Sequence, residues 1–139
     1  MTGFADKGRI AGALISLAAV ILASVSWVAR ADDLQIMLEE PVDGQFASGV
    51  SNIRGWAIAT EGVDRIEVFI DGVFEFEVPY GGDRKDVENA YPGVTNSLTS
   101  GFGQTFNYGL LRAGTHTMTA RAVSSAGVIA EDSAQFTVA

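Results

Sequence analysis

The sequence predicts an all-β domain of the sandwich or barrel class set behind an export-type leader. Beyond Asp32, runs rich in Val, Ile, Phe and Thr alternate with Gly, Asp, Asn and Ser at intervals of about ten residues, the spacing of a sandwich or barrel. No stretch after Asp32 keeps a helical period for more than about two turns. Asp71-Gly72, lodged between two apolar runs, is a strong hairpin signal.

The leader is legible from charge and hydropathy. Ile10 to Val28 form an uncharged run of apolar and small residues, with Lys7 and Arg9 before it and Ala29-Arg30-Ala31 after it. A basic start, an apolar centre and small residues at the third and first positions before a cut make an export signal, with cleavage expected between Ala31 and Asp32. The alternative is an uncleaved anchor, because the run is near the lower limit of about 17 residues for crossing a bilayer. Basic residues before the run and Asp32-Asp33 after it place the rest of the chain outside the cytoplasm in either case. The expected organisation is therefore a leader over residues 1–31 and one domain over 32–139, exported to the periplasm, the cell surface or the medium.

Composition excludes several classes. The net charge of the 139 residues is −8. Removing Lys7, Arg9, Arg30 and Asp6 with the leader makes the remainder more acidic still, a surface that repels nucleic acid and anionic lipid. Nucleic-acid partners are not expected, and membrane contact is expected only through an uncleaved leader. With no Cys there is no disulfide, thiolate metal site or thiol nucleophile. A domain of about 108 residues buries enough surface to fold without such staples.

The expected strands are Gln35 to Glu39, Val50 to Ala59, Arg65 to Ile70, Val73 to Val78, Phe102 to Tyr108, Thr115 to Ser124 and Val128 to Val138. In the third and fourth, a two-residue turn would put Glu75 and Glu77 on the face of Ile66 and Val68. Burying two carboxylates costs several kcal/mol. A three-residue loop of Ile70, Asp71 and Gly72 instead pairs Phe69 with Val73, Val68 with Phe74 and Ile66 with Phe76, and turns Glu67 toward Glu75 and Arg65 toward Glu77 on the outside. In the last two strands Met118, Ala120 and Ala122, and Ala134, Phe136 and Val138, fall on one face at a period of two.

Between Val78 and Phe102 runs a connection longer than the roughly 12 to 15 residues usual without function or internal structure. Asp83 is expected to cap the amides of Lys85 and Asp86, and Pro92 to stop a short helix over Arg84 to Tyr91. Val87 and Tyr91, four apart, would share the face toward the sandwich.

From about Glu40 onward the chain resembles a bacterial immunoglobulin-like domain of exported and cell-surface proteins. The matching features are Gly55-Trp56-Ala57, the V-x-x-D-G run at Val68 to Gly72, the R-x-D-V-x-x-A-Y-P run at Arg84 to Pro92, Gly101-Phe102 and Gly114-Thr115-His116. The resemblance implies an immunoglobulin-like β-sandwich of about seven strands with a short helix in the long connection. It also implies a spacer, stalk or adhesive role. Many relatives carry D-x-x-G-N before the final strand, where an Asp can help bind calcium; this chain departs from that pattern with Ser124-Ser125-Ala126-Gly127-Val128.

Candidate chemistry is sparse. His116 is the one histidine, and a ring at a strand entrance is expected to bond nearby backbone; no G-x-S-x-G or paired histidines accompany it. Asp83, Asp86 and Glu88 are weak calcium candidates, with helix capping and solvation as the competing reading. Tyr80, Tyr91 and Trp56, with Arg84 and Asn96 at the rim, are candidates for a binding surface that receives a sugar ring or a protein, against the plainer reading that Trp56 packs in the core and Tyr91 pins the helix. No catalytic residue and no cofactor is expected. The function expected is non-catalytic contact with an envelope or secreted protein, with carbohydrate binding through the loop aromatics as the alternative.

Overall fold

The computed structural model describes residues 33–139, and the leader expected over residues 1–31 lies outside them. Among the described residues nine strands form two sheets and one α-helix is present. The strands are β1 (Gln35–Glu40), β2 (Gln45–Ala47), β3 (Val50–Ile58), β4 (Val63–Ile70), β5 (Val73–Val78), β6 (Tyr80–Gly82), β7 (Gly101–Asn107), β8 (Gly114–Ser124) and β9 (Ile129–Val138), and the helix is α1 (Lys85–Ala90). One sheet has the order β1-β3-β7-β6 and the other β2-β9-β8-β4-β5. All seven expected strands are present. The two added ones, β2 and β6, are three residues long and exist through pairing with β9 and β7.

The first strand changes sheets. After β1 pairs antiparallel with β3, the chain passes a cis Glu40–Pro41 bond and β2 pairs parallel with β9. At this corner Asp132 Oδ2 on β9 accepts from the Leu38 amide at 2.8 Å, and Asp43 Oδ1 accepts from the Gln135 amide at 2.8 Å. The carboxylates thus supply acceptors to strand amides where the ladders are interrupted, which buried or half-buried backbone donors require.

Inner faces follow the period of two. Ile53 and Ala57 on β3, Ile66, Val68 and Ile70 on β4, Met118, Ala120 and Ala122 on β8, and Ala134, Phe136 and Val138 on β9 are buried in one core. Tyr108 is wholly buried at the foot of β7. Its ring meets Phe106 and Phe136 edge-on, at centroid separations of 5.0 and 5.4 Å, and its hydroxyl donates to the Asn52 carbonyl at 2.9 Å. That bond gives the polar end of a buried aromatic its partner.

The β4–β5 hairpin corrects the expected register. Asp71 and Gly72 both take positive φ, 52° and 83°, as the two central residues of a type I′ turn. The turn therefore has two residues, and Ile70 pairs with Val73. The carboxylates are nevertheless kept out of the core by a bulge at Glu75. Phe69 pairs with Phe74 and Val68 with Phe76, so parity resets and Phe76 and Val78 turn inward. Phe74, expected inside, is exposed and meets Phe69 edge-on at 5.7 Å. Glu67 faces Glu77, not Glu75, and Arg65 bonds Glu67 at 2.8 Å and Asp64 at 2.8 Å in place of Glu77.

Candidate functional site

The long connection opens with β6, which hydrogen-bonds to β7 through Tyr80↔Phe102 and Gly82↔Gly101. It continues through α1, one residue shorter at each end than expected, with Val87 as its buried residue. The expected Asp83 cap is not formed: Arg84 occupies the cap position, no side chain caps the helix, and Asp83 is exposed. The connection is anchored instead by backbone. The Arg84 amide donates to Leu98 O at 2.6 Å and the Ala57 amide to Ser100 O at 3.0 Å.

Arg84 is the hub of this region. Its Nη1 and Nη2 grip the Glu39 carboxylate at 2.8 and 3.0 Å, its Nε and Nη2 grip Asp86 at 2.9 and 2.8 Å, and Nη1 reaches the Gly55 carbonyl at 3.3 Å. The side chain is 16% exposed. A planar guanidinium serves two carboxylates at once, whereas an ammonium cannot reproduce the fork. The stem has room because position 101 is glycine: a Cβ there would lie 3.0 Å from Arg84 Cγ and 3.1 Å from Gly82 O. Bonding to Asp86 first and Glu39 second raises the Arg84 pKa, and the same contact holds Asp86 down at about 2.

The other candidates gather only in part. Tyr80, Asp83 and Arg84 line a shallow depression of about 350 Å³ beside Arg54, with Gly82, Gly101 and Gly103 along it. The Tyr80 hydroxyl donates to the Ala57 carbonyl at 2.7 Å, and burial pushes its pKa up to about 12. Trp56 lies on the outer side of β3, not in the core, and tilts 46° against Tyr91 at 5.6 Å; both rings are half-buried. Asn96 stands apart in the left-handed conformation, φ 60°, before the 3-10 turn Ser97–Thr99. Asp86 is engaged by Arg84 and Glu88 by Lys85 at 2.7 Å. Among the described residues no three His, Cys, Asp or Glu side chains converge as a metal site.

A second cluster occupies the end of the sandwich where β4 turns into β5 and the chain crosses from β7 to β8. His116 Nδ1 lies 2.6 Å from Asp71 Oδ2, and Nε2 lies 2.7 Å from the Arg112 carbonyl. Its ring stacks on Phe136 at 5.8 Å. Asp71 Oδ1 also accepts from the Thr117 amide at 2.9 Å. Both ring nitrogens are engaged, and among the described residues neither is bonded to a hydroxyl as the base of a serine nucleophile would be. Sequence reasoning found the backbone bond of His116 but missed Asp71, as it missed Glu39 for Arg84. Each partner lies 45 positions away, and no local pattern signals such a pair.

Strand order, with the first strand split between the two sheets and the last strands closing the second, defines an immunoglobulin-like β-sandwich. No family model matches the chain, and no curated protein matches its sequence. Solved structures do match. An endo-β-1,4-mannanase from Thermotoga petrophila is 13% identical with a TM-score of 0.57 over 76% of this chain, which corresponds to 20% of the mannanase. Fibronectin(III)-like modules of CbhA from Clostridium thermocellum are 16% identical over 75% of this chain and 95% of theirs, TM-score 0.45. Tandem Ig repeats of Dlar are 15% identical over 76% of this chain and 47% of theirs, TM-score 0.44. At 13% identity the likeness to the mannanase is one of fold.

Proposed function

We propose that this chain is a non-catalytic immunoglobulin-like module that works by protein–protein contact outside the cytoplasm, as the export-type leader and the resemblance to bacterial cell-surface domains suggest. The observation that carries the contact reading is a set of exposed apolar side chains on adjoining segments at one end of the sandwich. Phe46 is 79% exposed, Val50 69%, Leu110 78% and Val73 61%. Their segments are neighbours: Phe46 pairs with Thr137, which pairs with Thr115 of a groove, Val50 pairs with Asn107, the Tyr108 amide donates to Gly49 O at 2.8 Å, and Val73 and Leu110 line that groove. Apolar surface concentrated in this way marks a contact site, whereas single exposed apolar residues do not. Polysaccharide binding at Trp56 and Tyr91 has less support, because the rings are tilted against each other and the nearby Tyr80 hydroxyl is already bonded.

The test immobilises the chain and offers it envelope extract and polysaccharide in parallel. Specific retention of a protein is expected, weakened about tenfold or more by Phe46→Ser with Leu110→Ser, since each about 1.4 kcal/mol of lost contact is a factor of ten. Trp56→Ala is expected to leave retention unchanged. Retention on polysaccharide that Trp56→Ala abolishes would overturn the reading.

A further inference from the structure

His116 touches two groups that can only accept. One is the Asp71 carboxylate in the β4–β5 turn, 2.6 Å from Nδ1, and the other is the Arg112 carbonyl in the β7–β8 crossing, 2.7 Å from Nε2. A neutral imidazole carries one N–H and would set a lone pair against one of these oxygens. Both contacts are satisfied together only by the imidazolium.

We infer that His116 is a proton-operated clasp: charged, it pins the β7–β8 crossing to the β4–β5 turn, and neutral, it releases the crossing. Which side lets go follows from the strength of the two acceptors. The single proton of a neutral ring stays on Nδ1, where it faces an ionised carboxylate, and the Nε2 contact to Arg112 is lost. The end of the crossing next to His116 has few other ties. Among the described residues the first part of the crossing is anchored by the buried Tyr108, whose amide donates to Gly49 O at 2.8 Å, by the Gly109 amide on Asn107 Oδ1 at 2.9 Å and by Leu111 against the core. Arg112 and Ala113, by contrast, make no hydrogen bond among the described residues other than that of the Arg112 carbonyl to His116, and Leu110 is 78% exposed.

The clasp joins the walls of a groove of about 790 Å³ that has Val73 and Glu75 on one side and Leu110, Leu111 and Arg112 on the other. Loss of the proton therefore loosens one wall of the groove, whatever occupies it. The charged groups facing His116 are Asp71 from the turn and Arg112 from the crossing; Glu75 lies across the groove, and β9 presents the neutral Phe136. The bond to Arg112 O and then the bond to Asp71 favour the proton, against weaker opposition from burial and from the Arg112 charge.

As the chain contains one histidine, its imidazole signals in a nuclear magnetic resonance titration of the full chain belong to His116 alone. The expected midpoint lies above the ordinary 6.5. Amides of residues 110–114 should shift with that same midpoint, and those of residues 71–73 should shift less. Asp71→Asn should lower the midpoint relative to the unaltered chain. A midpoint at or below 6.5, or amides of residues 110–114 that do not follow it, overturns the clasp. If Asp71→Asn fails to fold, the titration of the unaltered chain still decides.

Discussion

The long connection after β5 and the short crossing from β7 to β8 are fastened to the same sandwich by different chemistry. The first is closed by Arg84, a permanent cation gripping Glu39 and Asp86, and the second by His116, a cation only while protonated. A guanidinium stays charged at any pH the protein meets, and Asp86, with its pKa near 2, stays ionised well into acid. The Arg84–Asp86 contact thus persists well into acid, whereas His116 bonds both of its acceptors only while charged. Two connections of one small domain can therefore differ in the conditions under which they open.

The largest expected effect breaks the ground on which the first fastening stands. A Cβ at Gly55 would collide with the Met37 carbonyl and lie 2.6 Å from the Phe102 ring, and the Gly55 carbonyl is one of the acceptors of Arg84. Gly55→Val should cost about 3 kcal/mol or more by overpacking, read as a collapse of the urea midpoint. Arg84→Ala takes the bidentate partner from Glu39, which keeps Arg54 only at 4.0 Å, and should cost about 2 kcal/mol, with Arg84→Lys in between. Hydrogen exchange sharpens the comparison: Arg84→Ala should speed exchange across residues 79–100 and leave residues 110–116 unchanged.

The smallest expected effect is that of pH on the second fastening. The His116 pKa is raised in the folded state, so its stabilisation is complete below the ordinary 6.5 and is lost as pH rises through the folded value. Asp71 is held below its ordinary 3.8 by His116 first and the Thr117 amide second; its share is present above 3.8 and lost as pH falls through the folded value. The stability difference between the unaltered chain and His116→Gln should therefore be greatest between pH 3.8 and 6.5 and shrink above that window. A difference that grows with pH would contradict the geometry.

How much of this could be read in advance depends on the distance over which each feature is decided. Strands β8 and β9 were legible because Met118, Ala120, Ala122, Ala134, Phe136 and Val138 alternate locally, and all six are buried. In β4–β5 the principle that carboxylates stay out of the core gave the right exposures for Glu75 and Glu77 and the wrong geometry. Parity alone cannot tell a longer turn from a bulge two residues further on. Strands β2 and β6 carry no periodic signal at three residues. Asp83 looked like a cap because cap propensity is local, while the position went to Arg84, whose place is set by Glu39 across the fold. Of the candidate site, Tyr80, Asp83 and Arg84 share a depression, but that Trp56 sits outside the core depends on which face of β3 each parity takes.

The sheet change after β1 has a mechanical side. Gln45–Ala47 run parallel to Phe136–Val138. Tension applied before β2 and after β9 draws these strands in opposite senses along their length. Their hydrogen bonds are loaded abreast, and the pair must slide as a block where an antiparallel ladder pulled from one end would unzip bond by bond. A three-residue strand that adds little burial thus lies across the line of force through the domain.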